Sequence, residues 1–287
     1  MKSSSLRSSD QRSVSAGRVF LMVVSGGLLF PQTMLSLGLD SLLTVFPEKK
    51  KVPEFIADGT AHRFSIGKAL QSSHLYGTIG GTLPLAESPL VGKGIQASLG
   101  VSVSTELHPQ QNIAVISTEF YIDYLLIDVL WTDNIFNRIG VGHTSHHLSD
   151  NAFDIIQKIR PIDYSRDYIK TFVGYSDSGF RAYAGVNYGY WFVIDHPVEK
   201  RLMPEAGVEA SLVQFGEGLV GYGAVHVKLR QELRYGSTIR LQAGVQFQNG
   251  TDRLFRLALT HQTGLEERGQ FHGQRLAVTT IGLIIEF

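Results

Sequence analysis

The sequence predicts an all-β chain, an antiparallel transmembrane β-barrel of about 12 strands. Three observations carry that expectation. From residue 62 to the last residue the hydropathy alternates with period two. No unbroken apolar stretch after residue 40 is long enough to cross a bilayer as a helix. The chain ends on Ile284-Ile285-Glu286-Phe287, an apolar strand that closes on an aromatic residue.

The N-terminus comes first. Residues 1–18 carry Lys2, Arg7, Arg12 and Arg18 among many serines, and an apolar run from Val19 to Phe30 follows. A basic segment before about a dozen apolar residues is the pattern of a secretory signal peptide. We assign it to 1–38, with small residues near Ser36-Leu37-Gly38 where cleavage could fall. Residues 39–61, with Lys49-Lys50-Lys51, Pro53 and Asp58-Gly59, are expected as a periplasmic leader arm, and 62–287 as the barrel.

The strands are placed by alternation. Ile95, Ala97, Leu99, Val101 and Val103 alternate with polar or small residues, as do Phe180 to Phe192, Val225 to Leu229 and Ile239 to Phe247. One face of each strand is therefore apolar and the other polar. The second face holds Gly, Ser, Gln and Arg, which suits a hydrated lumen with the apolar face toward lipid. The expected strands are 62–70, 74–84, 94–105, 113–126, 134–146, 163–175, 179–193, 204–215, 221–233, 238–248, 254–263 and 276–287. An even number returns both termini to the periplasm, where turns are short. The two longest links, 147–162 and 264–275, then fall on the exterior side.

Composition narrows the function classes. The 287 residues hold 26 basic and 26 acidic side chains, so no net positive charge exists to attract nucleic acid. With no cysteine, disulfides, thiolate metal sites and cysteine nucleophiles are excluded. The expected location is the bacterial outer membrane. The expected partners are outer-membrane lipids and the barrel-assembly machinery, with no nucleic acid.

One segment departs from plain alternation, His143-Thr144-Ser145-His146-His147-Leu148-Ser149-Asp150-Asn151. It resembles the His-x-Ser-Ser-His-Leu-Gly-Asp-Glu hallmark of a bacterial family of predicted outer-membrane barrels, a domain of unknown function. Phe55-Ile56-Ala57-Asp58, Arg63-Phe64-Ser65, Ile162 to Tyr168 and Arg181-Ala182-Tyr183 support the resemblance. His146, Ser149 and Asn151 stand where that family tends to have Ser, Gly and Glu. The resemblance implies a fold and a location, and no activity.

Locally, His143-Thr144-Ser145 is similar to the His-x-Ser strands of outer-membrane phospholipase A and lipid A deacylase barrels. That similarity implies His143 as base and Ser145 as nucleophile of a lipid acyl hydrolase. It departs from the family in having His146-His147 where those enzymes have Asn-Gly. Asp167 has no motif match. Strand parity puts it on the face shared by His143 and Ser145, where it could orient the imidazole. No cofactor is expected, although calcium is compatible with the hydrolase reading.

The bland alternatives are interfacial side chains and a loop anchored by His147 and Asp150. A metal site built from His143, His146, His147 and Asp150 is disfavoured because neighbouring strand residues face opposite ways. Arg181, Glu209, Lys228, Arg230 and Arg240 are expected to line the lumen, with Glu232. A third reading makes Arg181, Arg230 and Arg240 the lining of a narrow pore for small solutes. The 147–162 link has apolar residues at 152, 153, 155, 156 and 159. These predict one or two helical turns, capped by Asp150 or Asn151, lying over the histidine cluster.

Overall fold

The computed structural model describes residues 42–109, 113–156, 161–194, 201–248 and 253–287. The expected signal peptide, 1–38, lies outside the described residues. Leu43–Phe287 forms one compact unit.

A two-residue strand, β1 (Thr44–Val45), precedes β2 (Phe64–Ala69), β3 (Leu75–Ser88), β4 (Gly94–Pro109) and β5 (Ile113–Leu130). Next come β6 (Ile135–Leu148), a short helix α1 (Asp150–Ile155), β7 (Ser165–Asp177) and β8 (Phe180–Val193). β9 (Leu202–Gly216), β10 (Leu219–Arg230), β11 (Gly236–Gln248), β12 (Leu254–Leu265) and β13 (Arg275–Glu286) complete the chain. β2 to β13 are the twelve expected strands. Each pairs antiparallel with its sequence neighbour, and β13 closes on β2 from Ile285↔Phe64 to Thr280↔Ala69. Closure pairs the sheet edges, which hydrocarbon demands because it offers no water to lone backbone groups. No helix among the described residues is long and apolar enough to cross a membrane.

The alternation sorts the side chains as expected. In β6, Phe136, Arg138, Thr144 and His146 are buried inward, while Ile135 and Ile139 are exposed outward. Ile79, Ile169, Val173, Val208, Leu241, Leu259 and Ile281 continue that apolar outer band. Trp131, Tyr175, Phe180, Phe247 and Phe287 are exposed toward the short-turn end, and Tyr188, Tyr190, Trp191 and Tyr235 toward the other. Two aromatic belts bounding an apolar band match the two interfaces of a bilayer.

Part of the segment expected as a leader arm lies among the lumen side chains. Val52, Glu54, Phe55, Ala57, Asp58 and Ala61 are buried, and so are His62 and Arg63, expected as the start of the first strand, which begins at Phe64. Phe55 stacks on Tyr183 at 3.6 Å between ring centroids and meets Phe172 edge-on at 5.3 Å. Val52 and Phe136 complete this small core. The polar wall grips the same segment. Arg138 donates to the Val52 carbonyl at 2.6 Å, Arg181 to the Pro53 carbonyl at 2.9 Å, and the Ile56 amide to Glu209 at 2.5 Å. A twelve-strand lumen is wider than wall side chains alone fill, and this plug occupies the difference. Gly100 on β4 marks how closely the wall approaches, since a Cβ there would fall within the His62 ring.

The helix in the 147–162 link forms as α1, with a different cap and different contacts from those expected. Ser149 is its N-cap residue and makes no capping bond; its hydroxyl donates instead to the Val115 carbonyl. Its amide donates to the Ile116 carbonyl, and Ala152 is fully buried. These bonds tie α1 to β5, where the pairing of β6 has ended at Ser117↔Leu148. The inward histidine is covered by another link. A single 3₁₀ turn at Gly269–Phe271 sets the Phe271 ring against His146, and the Gln270 amide donates to His146 Nδ1 at 2.7 Å.

Candidate active site on the outer face

β6 and β7 build the site through their register. His143 pairs with Asp167, and Ser145 with Ser165, directly across the ladder. Paired residues share a face, so all four point outward toward lipid. His143 Nδ1 donates to Asp167 Oδ1 at 2.6 Å. That bond holds the proton on Nδ1 and leaves Nε2 as an acceptor. The hydroxyl within reach of Nε2 is Ser165's, with Oγ 3.4 Å away. Among the described hydrogen bonds, none joins His143 to Ser145. The His143 and Asp167 side chains keep 23% and 27% of their surface exposed, so a molecule in the surrounding layer can reach them. Ile122 and Phe120 flank the site on β5, opposite His143 and Ser145, and Trp191 on β8 stands opposite Asp167.

Ser165 was not singled out by sequence pattern. It sits at the first position of β7, and only the cross-strand register brings it to the histidine. The other two histidines go elsewhere: His146 turns inward to Gln270, and His147 lies against Phe120 at 6.1 Å. The four residues weighed as a metal site, His143, His146, His147 and Asp150, do not converge. Among the described residues the group able to hold a metal is a different one, Asp58, Glu205 and His226.

Arg181, Glu209, Lys228 and Arg230 are buried among the lumen side chains, and Glu232 lies instead in the 3₁₀ turn Gln231–Leu233 that follows β10. Arg181 pairs with Glu209 at 2.6 Å. Lys228 pairs with Glu267 at 2.5 Å and lies 3.7 Å from Glu205. Arg230 donates to the Glu266 carbonyl, and Arg240 to Gln262 at 2.6 Å. Sequence pattern missed the strongest lumen anchors. Asp128 receives two bonds from Arg138, at 2.7 and 2.8 Å. Asp123 accepts from His62 at 2.8 Å, Tyr168 at 3.0 Å and Lys170 at 2.6 Å. Both aspartates interrupt the apolar run from Tyr121 to Trp131; strict alternation would put them on opposite faces, and a β-bulge between Asp123 and Leu125 turns both inward. The plug's own charges are held by the same wall. Burial works to raise the Glu54 carboxyl, and Arg138, His62 and Lys50 more than offset it, holding it below the ordinary carboxylate range.

No family model matches the sequence, and no curated protein matches it. Solved structures do. Outer membrane phospholipase A from Escherichia coli superposes with a TM-score of 0.52 at 10% identity, covering 78% of this chain and 92% of that one. An active-site mutant of the same protein gives 0.53 at 10% identity, covering 84% and 94%. OccK5 (OpdH) of Pseudomonas aeruginosa matches at 12% identity with a TM-score of 0.31, covering 85% of this chain and 75% of that chain. At these identities the likeness concerns the fold. With its closed twelve-strand ladder, apolar outer band and aromatic belts, this chain is an outer-membrane β-barrel.

Proposed function

We propose that the protein is an outer-membrane lipid acyl hydrolase working on the lipid-facing side of β6 and β7. The supporting observation is the Asp167–His143–Ser165 arrangement, with Nδ1 bonded to a carboxylate and Nε2 facing a hydroxyl. In this reading His143 Nε2 takes the hydroxyl proton as the oxygen attacks the ester carbonyl, then delivers it to the leaving alcohol. Asp167 holds the tautomer and balances the transient imidazolium. Ser165 is the nucleophile on distance. Its 3.4 Å contact is longer than the roughly 2.6–3.2 Å of a reacting pair, as resting sites often are. Ser145, its cross-strand partner, is the alternative that the His-x-Ser resemblance implies. The substrate class, an ester of a membrane lipid, follows from the apolar surroundings of the site. The E. coli protein that superposes best among those cited is itself a phospholipase.

The test uses purified barrel in mixed micelles of phospholipid, with lipid A as a second arm, and measures fatty-acid release. Wild type should release fatty acid, and His143→Gln should reduce the rate by two orders of magnitude or more, on the order of a lost general base. Ser165→Ala and Ser145→Ala separate the two hydroxyls. No release by wild-type protein from either lipid, with or without calcium, ends the proposal.

A further inference from the structure

The lumen holds a group of ligating side chains that the outer-face chemistry does not use. Asp58 of the plug, Glu205 of β9 and His226 of β10 are all buried, and one ligand atom from each lies within 4.8 Å of the others. The Tyr183 hydroxyl contacts His226 Nδ1 at 2.9 Å, fixing the ring and turning Nε2 into the group. Nε2 has no aligned hydrogen-bond partner, although Glu205 Oε2 is only 3.3 Å away. A buried ring nitrogen with only this poorly aligned contact gains from a better-placed partner. A histidine whose other nitrogen is held by a neighbour is the usual metal-ligand arrangement.

The plug is held tightly at this point. Thr60 donates through its amide and its hydroxyl to Asp58 Oδ1, each at 2.8 Å, which fixes the carboxylate. Gly59 presses against the wall, where a Cβ would collide with the Arg240 guanidinium and Glu267. The Asp58, Glu205 and Glu267 carboxylates gather here with Lys228, Arg240, Arg63 and Lys170 nearby, and the short contact of Lys228 goes to Glu267, which leaves Glu205 with the longer 3.7 Å contact.

We propose that Asp58, Glu205 and His226 bind one divalent transition-metal ion, zinc being the probe of choice, which fastens the plug to the barrel wall. One imidazole and two carboxylates form a donor set that zinc accepts, with water in the fourth position. Ligand atoms around tetrahedral zinc stand roughly 3.4 Å apart. The Nε2–Oε2 spacing of 3.3 Å already meets that distance, and the Asp58 carboxylate, within 4.8 Å of the other two, closes by up to about 1.4 Å.

Full-length barrel in detergent is stripped with chelator, desalted and titrated with Zn²⁺ alone, then with Co²⁺ alone. One tightly held Zn²⁺ per chain is expected. Co²⁺ should give the intense visible absorption of a low-coordinate site. His226→Gln and Asp58→Asn should each lose this uptake by at least tenfold while keeping the heat-modifiable migration of a folded barrel. If one variant misfolds, the other decides. No uptake by wild type overturns the proposal. Uptake unchanged in the folded variants places the metal elsewhere and overturns it equally.

Discussion

Phe55 is the most informative residue to remove. It is 3% exposed, stacks on Tyr183 with the planes 6° apart, and contacts Phe172 and Phe136. The guanidinium carbons of Arg181 and Arg138 stand 5.2 and 5.6 Å from its ring centroid. Phe55→Ala leaves a hole lined by aromatic rings that are fixed on wall strands and cannot collapse. A buried Phe→Ala change costs about 3–5 kcal/mol. The barrel ladder is untouched, so the cost falls on opening of the plug, a local transition. The chain contains no cysteine, so a single Ala61→Cys reporter is clean, and Ala61 is buried in the plug. The reporter's labelling rate by a small maleimide measures the open fraction. At about 1.4 kcal/mol per factor of ten, Phe55→Ala should accelerate labelling roughly 150- to 4,000-fold. Heat-modifiable migration should stay that of a folded barrel. Phe55→Leu should accelerate it far less. Acceleration below tenfold in Phe55→Ala would refute the idea that this ring anchors the plug.

Three further outcomes follow from the lumen. Gly100→Ala should drive the His62 ring from Asp123 and cost about 1–3 kcal/mol of plug stability, read by the same labelling assay. Arg138→Met leaves Asp128 buried without its partner and should cost about 3–5 kcal/mol, seen as a lower temperature midpoint for the folded gel band. Glu54 is held below its ordinary value of 4.5, so its contribution is complete above that pH and fades as pH falls. Plug labelling, divided by that of the unfolded chain at the same pH to remove the thiolate's own dependence, should therefore rise on acidification below about pH 4.5, and Glu54→Gln should flatten that rise. An identical pH profile in wild type and Glu54→Gln would remove Glu54 from the account.

The alternating segments determined the barrel without help from tertiary contacts. A strand that must show lipid one face and a hydrated lumen the other writes that demand at every second residue. Ile139 and Arg138, or Val225 and His226, therefore reveal their sides by parity alone. The same parity placed His143, Ser145 and Asp167 on one outward face. The hydroxyl that meets His143 was decided by the register of β6 against β7, which sets Ser165 across from Ser145. Register depends on the turns and pairings of the whole closed ladder, so local pattern cannot state it. The plug was hidden for a different reason. Val52 to Arg63 makes no repeating pattern, because its partners, Arg138, Arg181, Glu209 and Tyr183, come from separate strands. A segment gripped from several directions has no period to display, and only closure of the barrel around it brings those partners together.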